Sequence, residues 1–261
     1  MTAPSLAFTG AEFDALWAGL GEETMPDPFI YSCPERSADE GALIRRQDWA
    51  ALRARLGGEL DDLVETIRTP DIRIVVTGFG VGKRADEPAD ALRLLAVRKG
   101  DIGYLITQRP GETLYDASGF AVSIHDATSL GQVVACALPE RAGGREREIE
   151  LTEPASSELD YGYGRSLVQH YDDEVATKAS AFLAAPAEHA GSIAIEQGWS
   201  RFGPRGLVRL RVYWRDVVDD GRYLVMPGPP MVAVGADRAR VTDLVNGQIA
   251  EVVSAIVDDR A

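Results

Sequence analysis

Residues 101–106 read DIGYLI and residues 220–225 read DGRYLV, so Tyr223 falls 119 positions after Tyr104. A chain that writes one strand-like phrase twice is constrained to build one unit twice, and the neighbouring residues repeat in the same order. A helical stretch ends before Pro70, and another, at about 167–184, ends before Pro186. Ile193, Ile195 and Gly198-Trp199 then stand where Ile74, Val76 and Gly78-Phe79 stood. VRLRVYW (208–214) answers RLLAV, and MVAV (231–234) answers AVSI (121–124). Each half reads helix, four strands, helix, over about 59–138 and about 167–257, with a connector at 139–160. Landmarks repeated in the same order predict an internal duplication.

The strands are placed by period-two alternation and β-branched content, at about 72–79 (IRIVVTGF), 92–98, 103–108 and 119–125 in the first half. Short connections make them an antiparallel meander. A helix follows near 127–138. The closing helix, about 237–257, carries Val241, Leu244, Val245, Ile249, Val252 and Ile256 on one stripe that has to pack on the sheet. Ahead of the first half, Thr9 and Glu12 have capping-box spacing, and Phe13, Leu16, Trp17 and Leu20 follow on one helical face until Gly21. PDPFIYS (26–32) reads as a short strand, and the stretch from Ala42 to Leu56 as one or two helical segments. A further helix at about 59–68 has Glu59, Asp61 and Asp62 in its first turn, where the helix dipole favours negative charge. Two four-stranded units joined into one sheet with helices against it make an α+β domain, single over 1–261.

A chain of 261 residues buries roughly 70–75% of its unfolded surface and needs no covalent staples. The formal charge of −14 and pI near 4.7 exclude a phosphate-tracking nucleic-acid binder and a polybasic membrane binder. Cys33 and Cys136 have no CxxC partner and read as buried free thiols. The N-terminus has no basic n-region, and no apolar run approaches a membrane span, so a cytosolic protein is expected.

TGFGVGKR (77–84) resembles a phosphate loop, but Thr77 stands where the first glycine belongs and Arg84 where Ser or Thr belongs. It reads as a mobile hairpin loop. His125, His170 and His189 follow no ligand spacing and read as surface or satisfied core residues, with no metal implied. DYGYGRSL (160–167) lacks the buried strand of a nucleophile elbow. The pairs Asp61-Asp62, Asp172-Asp173 and Asp219-Asp220 read as solvated helix starts and turns. No enzyme is expected, although a carboxylate pair assembled only by the fold would escape a linear reading.

One stretch stands out against the acidic background. In LVRLRVYWR (207–215), Val208, Leu210, Val212 and Trp214 fall on one side of a strand and Arg209, Arg211, Tyr213 and Arg215 on the other. Arginine and tyrosine are enriched at interface hot spots. A solvated sheet face, or arginines paired with acids of the same chain, is the alternative.

LAFTGAEFDALWAGLG followed by MPDPF, the run LGGELDDLVETIRTPDIRI, and DGRYLV followed by a Pro/Gly turn, MVAVGAD and a final helix resemble the EspG family. These are cytosolic chaperones of the type VII (ESX) secretion systems of mycobacteria and related actinobacteria. The resemblance covers nearly the whole chain. It implies a largely antiparallel central sheet built from two quasi-two-fold-related halves and flanked by helical bundles. It also implies a function: covering the PPE tip of a PE–PPE heterodimer so that it stays soluble until export, with no cofactor. The contact surface it implies comprises Arg209, Arg211, Tyr213 and Arg215, the 79–90 loop with Phe79, Val81, Lys83 and Arg84, and the closing helix at Gln248. A small-ligand sensor and an enzyme of unrecognised type are the alternatives.

Overall fold

A computed structural model describes residues 5–22, 25–32, 38–151 and 167–260. Ten strands form one sheet: β1 (Ser5–Phe8), β2 (Ile72–Gly80), β3 (Leu92–Lys99), β4 (Ile102–Pro110), β5 (Ala117–Asp126), β6 (Ile149–Leu151), β7 (Ala187–Gln197), β8 (Arg209–Val217), β9 (Gly221–Met226) and β10 (Met231–Gly235). The helices are α1 (Gly10–Gly19), α2 (Ala38–Leu56), α3 (Gly58–Arg68), α4 (Leu130–Ala137), α5 (Leu167–Ala184) and α6 (Arg238–Arg260). Strand order is β1-β5-β4-β3-β2-β7-β8-β9-β10-β6, and each of these neighbouring pairs is antiparallel. The expected α+β architecture, a large antiparallel sheet flanked by helices, is therefore present.

Alternation sorts the side chains into two faces. Ile72, Ile74, Val76, Leu94, Ala96, Ile193, Ile195, Val212, Trp214 and Leu224 point to one face, where α4 and α6 cover them with Leu130, Val134, Val241, Val245, Ile249 and Val252. The stripe read on the closing helix packs where expected. At the middle of this face, Leu92, Gly78, Gly191, Trp214 and Leu224 stand in one row across five strands. The two glycines leave a slot for the indole, whose Nε1 donates to the Thr77 carbonyl at 3.2 Å.

The opposite face is covered only at its sides. On one side α1 and α3 pack Phe13, Leu16, Leu60, Leu63 and Ile67 against Leu95, Val97, Tyr104, Ile106 and Phe120. The Thr9/Glu12 capping box forms, with Glu12 N donating to Thr9 Oγ1 at 3.2 Å and Thr9 N to Glu12 Oε2 at 2.8 Å. On the other side α5 sets Ala179 and Phe182 against Tyr223, Ala233, Ile149 and Leu151.

Residues 26–32 are not a strand. The Gln108 side chain takes the place of a neighbouring strand there, accepting from Ile30 N at 3.0 Å and donating to Ile30 O at 2.8 Å, while Phe29 stacks edge-on to Phe13 and Phe120. The expected connector contains β6, which pairs with β10, and the N-terminus contributes β1, which pairs with β5. Cys136 is exposed on α4 rather than buried. Asp220 is bonded rather than merely solvated, accepting from Tyr223 Oη and Arg145 N, both at 2.8 Å. Cys33 and residues 152–166, with most of DYGYGRSL, lie outside the described residues, as do the side chains of His170, Asp172 and Asp173. Among the described residues no helix is long and apolar enough to cross a membrane.

Candidate partner-binding groove

Between the two helical walls, the central strands leave a strip of sheet uncovered. Three rows cross it from β2 through β7 to β8: Arg73, Glu196, Arg209; then Val75, Ala194, Arg211; then Thr77, Ser192, Tyr213, with Arg93 of β3 continuing the last row beyond Thr77. Much of this strip floors a cleft of about 1000 Å³, walled on one side by Trp17, Leu20 and the 25–30 segment and bounded at one end by Phe79.

The polar groups of the floor are only partly satisfied. Thr77 Oγ1 and Ser192 Oγ lie 3.0 Å apart. Arg73 Nη2 donates to the Asp27 carbonyl at 3.3 Å, but its Nε is buried with no hydrogen-bond partner. Arg93 Nη2 donates to the Leu114 carbonyl at 2.8 Å, and burial lowers the pKa of its guanidinium from the ordinary value. A concave strip holding cations away from bulk water focuses field and favours ligands that bring acceptors.

The structure divides the residues expected from the sequence. Arg209, Arg211 and Tyr213 share the open face with Phe79, which is 53% exposed. Arg209 Nη1 also donates to the Pro204 carbonyl at 3.2 Å. Arg215 is committed elsewhere: it donates to the carbonyls of Phe182, Leu183 and Ala185 at the end of α5, with its guanidinium over the Phe182 ring. Carbonyls in the last turn of a helix lack i+4 donors, and Arg215 supplies N–H groups to them as a side-chain cap of α5. Gln248 belongs to α6 and therefore to the other face of the sheet, with its Oε1 buried and unpartnered. Arg73, Arg93 and Glu196 were missed, although alternation in IRIVVTGF already opposes Arg73 to Ile72 and Ile74. The 25–30 wall leaves no such signal.

Val81, Lys83 and Arg84 lie just beyond the groove. The β2–β3 connection is folded rather than open: two 3-10 turns, Gly82–Arg84 and Pro88–Asp90, are tied by Arg84 to Asp90 through two hydrogen bonds of 2.6 Å, and Val81 N donates to Glu188 O at 2.8 Å. Lys83 is exposed. Behind this connection, His189 Nε2 lies 3.3 Å from Asp90 Oδ1, and His189 Nδ1 lies 3.9 Å from Asp216 Oδ2. Asp216 is in turn paired with Arg222, and both are buried.

The Arg84 guanidinium beside Asp90 holds its carboxyl below the ordinary aspartate range, with His189 adding to the effect. Because the folded-state value is the lower one, the contribution is complete above about pH 4 and is lost as pH falls through the depressed value. Acidification through that window is expected to raise amide exchange of residues 82–90, corrected for intrinsic rates, before β3 loses protection. Asp90→Asn is expected to do the same at neutral pH. Unchanged protection in both would mean that the turns hold themselves.

Among the described residues the chain is an α+β protein: one antiparallel sheet, covered by helices on one face and walled at both sides of the other, with an open groove between the walls. The chain belongs to the EspG family, whose model matches residues 9–247. In fold it is similar to the Mycobacterium tuberculosis type VII secretion system chaperone EspG5, solved in complex with the PE25–PPE41 dimer. The TM-score is 0.51 at 12% identity, over 92% of this chain and 93% of that one. No curated protein sequence matches the chain.

Proposed function

We propose that the chain is a cytosolic chaperone that binds PE–PPE-type substrates of a type VII (ESX) secretion system and keeps them soluble for export. The observation that carries this reading is family membership across residues 9–247. It is supported by the likeness in fold to a chaperone solved with a PE–PPE dimer bound. An exposed apolar patch on a client is an aggregation hazard, and covering it takes an interface of roughly 800 Å² per partner. The Arg209, Arg211, Tyr213 and Phe79 surface, together with the 81–91 connection, is the contact region in this reading. Holding and releasing a client requires no bond to be made or broken, so the protein acts without a reaction.

The scaffold fits a duplication in this reading. At the centre of the sheet Val75 faces Ala194, and these are 119 positions apart, the same spacing as Tyr104 and Tyr223. A two-fold axis through that pair would exchange β2 with β7 and carry each half onto the other.

Co-expression with a PE–PPE pair is expected to give a stable one-to-one complex of chaperone and heterodimer by size-exclusion chromatography with light scattering. Arg209→Glu with Arg211→Glu is expected to weaken capture about tenfold or more while stability changes by less than about 1 kcal/mol, as is usual for surface changes. A folded double variant that captures normally would take this face out of the contact. Failure of the wild-type chain to capture any PE–PPE pair would end the reading.

A further inference from the structure

The groove departs from the charge balance of the chain. Against a net charge of −14, its floor carries Arg73, Arg93 and Arg211, with Arg68 beside them at the end of α3. Among the described residues none of these four forms an ion pair. The acids lining the same groove are Glu22, Asp27 and Glu196. Asp27 offers Arg73 its main-chain carbonyl, and Glu196 lies across the ladder from both Arg73 and Arg209. The unpartnered Nε of Arg73 is a standing cost that an incoming acceptor removes.

Shape narrows the ligand class. The floor follows β2 from Arg73 to Phe79. At about 3.3 Å per residue this gives a trough roughly 20 Å long. A small molecule is normally held in a pocket that wraps most of its surface. A trough of this length, open on its solvent side, matches about six residues of extended chain. Its 25–30 wall offers Met25 and Ile30 to apolar side chains.

We propose that the groove binds an extended acidic segment of a protein partner, with carboxylates on Arg73, Arg93 and Arg211 and intervening apolar side chains on Met25 and Ile30 of the wall. That the partner is the exported client rests on the function proposed above; the chemistry of the groove does not.

The test uses fluorescein-labelled peptides of about eight residues that alternate Glu with Leu, beside the same peptides with Gln in place of Glu, titrated with the full chain. The Glu peptide is expected to bind at least about tenfold more tightly than the Gln peptide. Its binding is expected to weaken as salt rises from about 50 to about 500 mM. Arg211→Gln, at an exposed position, is expected to lose about tenfold in affinity, and Arg73→Lys, which keeps the charge but not the planar fork, an intermediate amount. Equal binding of the two peptides, or no binding, overturns the proposal. So does displacement by citrate at concentrations no higher than those of competing peptide, since the arginines would then serve a free small anion. Lost peptide binding with intact capture of a PE–PPE pair removes this inference alone. Peptide binding without capture of any such pair removes the proposed function alone.

Discussion

Replacing Asp216 with alanine is expected to cost about 3–5 kcal/mol of folding free energy, because it strands a buried guanidinium. Arg222 Nε and Nη2 donate to the two Asp216 oxygens at 2.7 and 2.9 Å, and both side chains are almost wholly buried. Arg222 also donates to the Pro139 carbonyl at 2.9 Å and sits 5.1 Å from the centre of the Trp214 ring. It is therefore fixed where water does not replace the lost carboxylate. The pair as a whole contributes far less than the single change costs, since two charges had to be desolvated to make it. Asp216→Leu combined with Arg222→Met is accordingly expected to recover most of the loss. Urea unfolding at constant m separates the outcomes. A loss below about 1 kcal/mol for the single change would place the pair in the class of solvated surface pairs.

Trp214→Ala is expected to cost a similar amount, about 3–5 kcal/mol, through the cavity that it opens at the join of β2, β7 and β8. The indole is 2% exposed and lies against Gly78 and Gly191. The same seam responds to substitution from the other side. A Cβ at position 191 would stand 2.0 Å from the Thr77 carbonyl oxygen and 2.6 Å from Trp214 Nε1. The Thr77 carbonyl belongs to a central strand that has no room to retreat, so Gly191→Ala is expected to destabilise by at least about 1–3 kcal/mol as an overpacking change. A Cβ at position 78 would meet Trp214 Cζ2 at 2.6 Å. Denaturant unfolding measures the loss, and near-UV circular dichroism reports whether the indole has left its slot. Full stability in Gly191→Ala would show that the seam yields more than its register implies.

Regular alternation carried the sheet into view. The strand at 72–79 announces itself because it buries one side under α4 and α6, which forces apolar residues to every second position, whereas 103–108 shows a continuous apolar run because Leu105 is covered from one face and Tyr104 and Ile106 from the other. Segments held by other means were silent. Phe29 and Ile30 are fixed by a single glutamine amide and an aromatic cluster, so no period marks them. β1 and β6 are too short to alternate, and Ile149 and Leu151 show their purpose only once α5 is seen above them. The groove was half legible. Arg209, Arg211 and Tyr213 follow from the strand period, whereas Arg73 and Arg93 acquire meaning only when β2, β3, β7 and β8 lie side by side. Arg215 shows the limit of pattern: it shares the period of Arg211, yet the end of α5 claims it.

The two outermost strands are also brief, β1 with four residues and β6 with three. Long bare margins of a sheet offer rows of free N–H and C=O groups to any passing extended chain, and from that follow runaway filaments. With four residues on one margin and three on the other, neither end strand gives an incoming chain enough length to zip onto and pass the sheet on from copy to copy.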